Sequence, residues 1–274
     1  MKVVLFCGGL GTRLREYSDT VPKPLVPIGD RPIIWHLMKY YAHYGHKEFI
    51  LCLGFKGASL REYFVNYNPN VSRDFTIEPG GAIAPAVSDI ADWRITFVDT
   101  GHDSNIGQRL LRVKPHLGGD EMFLANYSDQ LSDLPLPHYL DTFHSSGAVG
   151  SFVAVKASQS FHTVSIEADG QVSAIRPVNE SDLWVNGGYF AFNRKIFDFI
   201  NEGEELVEEP FARLIASRQL HAYRHDGFWR SMDTLKDKIG LDAMYDSGKR
   251  PWQVWNGHHP EPEQLDAPRL LRSR

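Results

Sequence analysis

Two compact apolar runs, VVLFC at residues 3–7 and FILCLGF at residues 49–55, bracket a segment with a different period. Neither run alternates apolar with polar residues, so both suit strands buried on two faces. Between them, RPIIWHLMKYYAHYG places Ile34, Leu37, Met38 and Tyr41 at helical spacing and ends at Gly45. Strand, helix and strand in that order predict a βαβ unit and hence a parallel sheet.

The rest of the chain extends this pattern. SLREYFVNY reads as a second helix with Ser59 as its N-cap. Residues 68–91, rich in Pro, Gly and Ala, read as an excursion from the sheet. WRITFVDT, EMFLANYSD, GSFVAVKA, VSIEADGQVSAI and NGGYFAFN read as further strands, and Asp169-Gly170 is a hairpin turn signal. A helix is expected over Glu204 to Arg218, and a mobile tail from Asn256 onward. There is no internal repeat or low-complexity linker. The expected fold is α/β: a mixed, mostly parallel central sheet flanked by helices, with a small β excursion, as a single domain over residues 1–255.

Composition narrows the partners. The 274 residues are long enough to bury a sizeable core. A net charge of −5 argues against broad nucleic-acid binding, which needs a basic face. No apolar stretch approaches the roughly 20 residues that span a bilayer. The opening MKVVLFCGG is too short, and too interrupted by glycine, for the apolar region of a secretory signal. Cys7 and Cys52 each lie in a strand-like run, which suits reduced packing thiols and a cytoplasmic setting.

The first strand ends in GGLGTRL, with Lys23 isolated ten residues beyond Arg13. A P-loop is excluded because no Gly-Lys pair follows Gly8, Gly9 and Gly11. A dinucleotide fingerprint fails because Leu14 stands where its last glycine is needed. Two readings stay open. One is a glycine turn whose backbone N–H groups, with Arg13 at a helix start, hold an anion. The other is an ordinary strand-to-helix turn bearing a surface arginine.

In open α/β sheets ligands bind beyond the carboxyl ends of strands. Asp129 directly follows an apolar strand, and Asp233 in HDGFWRSMDTLKD precedes a helix. A turn aspartate and a helix cap are the plain alternatives. Together with Arg13 and Lys23 the two carboxylates make a set able to share Mg²⁺ and manage phosphates. Magnesium is commonly bound by one or two carboxylates plus substrate phosphate. His36, His43 and His46 show no zinc-ligand pattern. The aromatics Trp35, Tyr40, Tyr41 and Tyr44 crowd one helix and read as core.

These residues resemble the signature of sugar-1-phosphate nucleotidylyltransferases, and within them glucose-1-phosphate cytidylyltransferases. The resemblance runs from GGLGTRL and PKPLVPIGDRPIIWHLMKYYAHYG through GFKGASLREYFVNY, VDTGHDSNIGQRLLRV, VNGGYFAFN and FWRSMDTLKDK to GKRPWQVW. It implies a Rossmann-like nucleotidyltransferase fold, with a nucleotide-binding part at about residues 1–130 and a sugar-binding part at about 131–255. The implied reaction joins CTP and a hexose 1-phosphate into a CDP-sugar and pyrophosphate. Gly8, Gly9, Gly11 and Thr12 would cradle the nucleotide, and Thr100, Gly101, Ser104 and Arg109 belong to the segment closing over it. Arg13 and Lys23 would be the catalytic cations, Asp129 and Asp233 the Mg²⁺ ligands. Asn186, Gly187, Gly188 and Glu209 would lie on the sugar side. A homo-oligomer is expected from the same resemblance.

The chain also departs from the family pattern. Ser128-Asp129-Gln130 replaces Gly-Asp-Gly, and Gln108 replaces a glycine of Gly-Gly-Arg. Arg176-Pro177 stands where a Glu-Lys-Pro segment is usual, so Arg176 would have to serve the sugar phosphate. The departures leave two alternatives: the same chemistry with another base or phosphorylated acceptor, and a nucleotide-binding protein without turnover.

Overall fold

The computed structural model describes residues 1–9, 21–81, 83, 88–157 and 161–257. Gly11, Thr12, Arg13 and nearly all of the expected tail lie outside the described residues.

The chain opens with β1 (Val3–Phe6) and, after a short 3-10 turn at Lys23–Leu25, forms the ribbon β2 (Pro27–Ile28) and β3 (Arg31–Pro32). α1 (Ile33–His43), β4 (Glu48–Leu53), α2 (Gly57–Val65) and β5 (Arg94–Asp99) follow. Then come α3 (Ile106–Val113), β6 (Met122–Asn126), β7 (Gln130–Ser132), α4 (Leu136–Ser146) and β8 (Gly150–Lys156). The hairpin β9 (His162–Ile166) and β10 (Val172–Pro177) leads to β11 (Trp184–Asn193), α5 (Glu209–Ala216) and β12 (Leu220–His225). The described chain closes with β13 (Trp229–Ser231) and α6 (Leu235–Asp246).

Seven strands form one sheet in the order β12-β8-β11-β6-β1-β4-β5. All neighbours are parallel except around β11, which runs antiparallel to both β6 and β8. This is the expected mixed, mostly parallel sheet, and it makes the carboxyl ends of β1, β4, β5, β6 and β8 one edge. Alternate residues of β1 serve opposite layers. Val3 and Leu5 pack with Ile34, Leu37, Leu60 and Tyr139 of α1, α2 and α4. Val4 and Phe6 pack with Leu110, Val113, Phe211 and Leu214 of α3 and α5. Helices on both faces explain why the strand sequences do not alternate. Both cysteines are buried free thiols.

A third apolar cluster lies beyond the sheet edge: Val26, Ile28, Ile33, Leu131, Met232, Leu241 and Trp252. It joins the β2–β3 ribbon, the antiparallel pair β7–β13 and α6. Met232, the residue before Asp233, is fully buried there. Burying a side chain of that size contributes about 1.5–3 kcal/mol, enough to hold its neighbour in place.

Two local expectations change. Ser59 is not an N-cap, because α2 begins two residues earlier at Gly57, after Lys56 in the left-handed region (φ +50°). Gly57 starts the helix close over the sheet, where a Cβ would lie 2.9 Å from that of Leu53. The helix expected over 204–218 is shorter, Glu209–Ala216, since Pro210 has no N–H and suits only the first turn. The 68–91 excursion holds a 3-10 turn at Pro69–Ser72 and one bridge, Ile77 to Ile83, among its described residues. The Asp169-Gly170 hairpin is present, with Gly170 at φ +87°.

His36 illustrates what the aromatic crowding on α1 does. Its ring is buried against Trp35, Trp252, Trp255 and Tyr245, and Nε2 donates to the Ile28 carbonyl at 2.9 Å. Nδ1 has no partner among the described residues. Burial pushes its pKa down to about 4. Above pH 6.5 the ring is neutral whether folded or unfolded, and titration adds nothing. Below it the unfolded chain takes up a proton that the folded protein refuses, so stability falls towards pH 4. The loss from this one group is about 2–3 kcal/mol at pH 4.5. Denaturant titrations from pH 7.5 to 4.5 are expected to show a flatter decline for His36→Gln. Equal slopes would contradict this account.

Candidate active site

Lys23, Asp129 and Asp233 come from three distant parts of the chain, and each is aimed by local chemistry. Lys23 heads the 3-10 turn between Pro22 and Pro24, whose rings fix φ, and its carbonyl accepts from Val26 N at 3.1 Å. Asp129 follows a sharp bend after β6. Ser128 sits there in the left-handed region (φ +68°), its N–H donating to Asn126 Oδ1 at 3.0 Å and its Oγ to the Phe6 carbonyl at 2.7 Å. Left-handed backbone costs a non-glycine residue about 1–2 kcal/mol, which these two bonds offset. Ser128 therefore does the bending work of a glycine and also ties the end of β1 to β6. The β7–β13 ladder pairs Gln130 with Ser231, and Met232 N donates to the Asp129 carbonyl at 2.9 Å. Asp233 is the next residue. It does not cap α6. Thr234 does, in a capping box with Asp237, leaving the Asp233 carboxylate for the site.

At their meeting point Lys23 Nζ lies 2.5 Å from Asp129 Oδ2 and 2.8 Å from Asp233 Oδ1. Burial alone would lower the ammonium's pKa, but the two carboxylates outweigh it and hold it above the ordinary lysine value. Burial also pushes the Asp129 carboxyl upward, with Asp233 adding to it and Lys23 pulling back. Among the described residues, two carboxylates around one ammonium make a net negative group that favours a further cation. The arrangement fits a divalent metal: both carboxylates already converge on a single positive centre, with Lys23 as the stand-in. Among the described residues no group of three or more His, Cys, Asp or Glu could hold a metal, so other ligands would come from substrate phosphate and water.

Across the sheet edge lies the loop after β1. The side of Gly8 where a Cβ would stand is filled by Arg109, whose Nη1 would be 2.0 Å from that atom. Gly8 is thus a glycine because a guanidinium passes beneath it. A Cβ on Gly9 would meet nothing within 4 Å among the described residues. Arg109 is buried, and Nη1 donates to Leu53 O (3.2 Å), Thr100 Oγ1 (2.8 Å) and Gly101 O (3.0 Å). Nη2 donates to Gly8 O (3.1 Å) and His102 O (3.3 Å). The side chain expected to touch a nucleotide instead binds the loop carbonyls from below. Thr100, Gly101 and Ser104 form the turn it supports. Gly101 takes φ +85°, and Ser104 Oγ donates to the Thr100 carbonyl at 2.5 Å. Arg112, which the sequence reading passed over, reaches the same turn from α3, donating to Thr100 O and to Ser104 Oγ.

Gln108 has a structural place as well. Its N–H donates to Asn105 Oδ1 at 2.9 Å and its Oε1 accepts from Asn105 N at 3.3 Å, a capping box that starts α3. Gln108→Gly removes that reciprocal bond and adds backbone freedom in the helix. It is expected to destabilise by about 1–2 kcal/mol in denaturant unfolding. No change would show the box to be idle.

On the other side of β6, β11 breaks register with β8 between Asn186 and Phe190. Asn186 Oδ1 accepts from Gly188 N at 2.9 Å, and its Nδ2 donates to Tyr127 Oη at 3.3 Å. Gly188 adopts φ +72°, and Trp229 Nε1 donates to the Gly187 carbonyl at 2.8 Å. Asn186, Gly187 and Gly188 are thus gathered beside Asp129 through Tyr127, Gln130 and Trp229.

Two expected residues are not brought in. Arg176 is exposed on β10, opposite Thr163 in the hairpin, and makes no hydrogen bond or ion pair with the described site residues. Glu209 is exposed in the first turn of α5, where its charge acts on Arg213. Both assignments assumed that a place along the chain predicts a place at the pocket, and a separate two-stranded hairpin and a helix start carry them elsewhere. Cys7, beneath the site, is no nucleophile: burial pushes its thiol up to about 12. The Ser132, His225 and Asp133 cluster is not a relay either, because Ser132 Oγ (3.2 Å) and Asp133 Oδ1 (2.9 Å) meet the same ring nitrogen, Nε2.

Comparison with known proteins gives consistent matches. Residues 2–239 match the family described as Nucleotidyl transferase. The chain is 37% identical over 257 residues to the probable glucose-1-phosphate cytidylyltransferase of Bacillus subtilis (strain 168), covering 93% of this chain and 100% of that protein. It is 38% identical over 258 residues to the glucose-1-phosphate cytidylyltransferase of Salmonella typhi, with 93% and 100% covered. Among solved structures, UTP-bound UGPase from Acinetobacter baumannii superposes with a TM-score of 0.68 at 19% identity, covering 93% of this chain and 96% of that one. A putative glucose-1-phosphate thymidylyltransferase from Bacillus anthracis gives 0.65 at 14% identity, over 89% and 94%. These two establish the fold.

Proposed function

This chain belongs to the nucleotidyl transferase family, and we propose that it joins CTP and a hexose 1-phosphate, glucose 1-phosphate first among them, in a Mg²⁺-dependent reaction. The products are the CDP-sugar and pyrophosphate. The observation that carries this reading is the meeting of Lys23 with Asp129 and Asp233 at the sheet's ligand edge. The full-length similarity to two cytidylyltransferases supports CTP and glucose 1-phosphate over other pairs.

The chemistry asks little of a base. A sugar phosphate is already ionised near neutral pH. One of its oxygens attacks the α-phosphorus, and the bond to the bridging oxygen of the departing pyrophosphate breaks. The barrier lies in bringing two polyanions into line and stabilising charge on the leaving group. Asp129 and Asp233 would hold Mg²⁺, which supplies charge neutralisation on the triphosphate when bound. Lys23 supplies a second positive charge at the reacting phosphates, and Arg13 is assigned to the leaving pyrophosphate by resemblance. The turn at Thr100–Ser104, held by Arg109 and Arg112, gives the nucleotide side a fixed wall. The departures Ser128 and Gln108 are each built into the fold by hydrogen bonds, which favours an intact site over a decayed one.

The test is a matrix of CTP, UTP, dTTP, ATP and GTP against glucose, galactose and mannose 1-phosphates, read by pyrophosphate release with and without Mg²⁺. The expected maximum is CTP with glucose 1-phosphate, and only with the metal. Folded protein that releases pyrophosphate from no pair would sink the proposal.

A further inference from the structure

Gln130 opens β7 directly after Asp129 and is only 6% exposed. Its backbone is spoken for: it pairs with Ser231, and its carbonyl accepts from Tyr189 Oη at 3.3 Å. Its side chain is not. Oε1 is buried and has no hydrogen-bond partner among the described residues. Buried amide oxygens are nearly always satisfied, so a lone one on the residue next to Asp129 points to a donor that arrives with ligand. The amide is wedged against Gly188, where a Cβ would fall 2.1 Å from Oε1 and 2.6 Å from Nε2. The nearby polar side chain of Asn186 is already used, towards Tyr127 and Gly188.

The surroundings select the missing donor. A phosphate oxygen brings no proton for Oε1 to accept, so it is not the missing donor. The nucleotide wall at Gly8 and Thr100 lies on the β1–β4–β5 side of β6, whereas Gln130 meets Gly188 on the β11 side. A hydroxyl of the sugar acceptor satisfies both conditions.

We propose that Gln130 is a specificity-determining residue whose Oε1 accepts a hydrogen bond from one hydroxyl of the sugar 1-phosphate. The inference rests on the function proposed above. It assigns to a side chain, at a place where the family pattern has none, the reading of one position on the sugar ring.

The experiment measures kcat/KM for glucose 1-phosphate and its 2-, 3-, 4- and 6-deoxy analogues, with wild type and Gln130→Met. Methionine keeps the length that packs on Gly188 but offers no comparable acceptor. Wild type is expected to penalise one deoxy analogue by about 10- to 100-fold. In Gln130→Met that penalty is expected to fall to about threefold or less, while penalties at the other positions stay. Melting curves check that the variant is folded. Gln130→Gly, which puts back the glycine usual at that one place, gives the same reading if methionine is not accommodated. A merely structural role would weaken all five sugars alike. Active enzyme with the same deoxy pattern in variant and wild type, or with no penalty at any position in wild type, overturns the inference and leaves the reaction standing. Absence of turnover in wild type with every nucleotide overturns the proposed function, and the inference with it.

Discussion

Lys23→Ala is expected to lower kcat by about 10²- to 10³-fold in pyrophosphate-release assays at saturating substrates. That is the usual scale for removing one preorganised charge or donor aimed at a developing negative charge. The contact distances of 2.5 and 2.8 Å make the lysine one unit with Asp129 and Asp233. Asp129→Asn and Asp233→Asn should therefore be of similar severity, and Lys23→Ala combined with Asp129→Asn little worse than either alone. The lysine variant also leaves two neighbouring carboxylates without their ammonium. Its melting temperature should then rise more on adding Mg²⁺ than that of wild type. A folded Lys23→Ala protein within tenfold of wild-type kcat would remove the centre of the functional argument.

Arg109→Met should be the most destabilising single change among the site residues, by about 3–5 kcal/mol in denaturant unfolding. Methionine preserves much of the apolar stem but deletes the guanidinium. Five hydrogen bonds disappear, and the carbonyls of Gly8, Leu53, Gly101 and His102 lose a buried donor. Leu53 O keeps Thr100 N–H and Oγ1, and Gly8 O keeps Phe55 N–H, so the cost falls mainly on the Gly101 and His102 carbonyls, about 1–3 kcal/mol for each left unpaired before relaxation and water entry. Arg109→Lys should recover only a small part, since an ammonium cannot reach both sides of the fork. Losing less than about 1 kcal/mol in Arg109→Met would show that the loops at Gly8 and Thr100 stand without it. The same geometry implies that Gly8→Ala clashes with the guanidinium, so the first glycine of GGLGTRL serves the arginine as much as any ligand.

The departures from the family pattern show how a sequence-level loss can be a structural substitution. Ser128 keeps the left-handed bend that a glycine would supply and gains a bond to Phe6. Gln108 exchanges a flexible residue for a helix-starting capping box. Gln130 fills the space beside Gly188 and brings an amide oxygen that no protein group satisfies among the described residues. The first two maintain the scaffold, and the third changes what the acceptor side offers.

Much of the fold was written locally. The apolar runs and the period of α1 foretold a βαβ unit and a parallel sheet, because strand burial and helix amphipathicity depend on residues a few places apart. Asp129 at a strand's carboxyl end, and Lys23 between two prolines, were legible for the same reason. Helix limits were less so: Pro210 shortened α5, and Gly57 moved the start of α2 ahead of Ser59. What only the tertiary structure decided is which distant groups meet. Lys23 joins partners 106 and 210 residues away because the β7–β13 ladder sets Asp233 beside Asp129. Arg109 turns inward beneath Gly8, while Arg176 and Glu209 stay at the surface. Those outcomes follow from strand register, close backbone approach and side-chain direction in three dimensions. None of the three leaves a periodic trace along the chain.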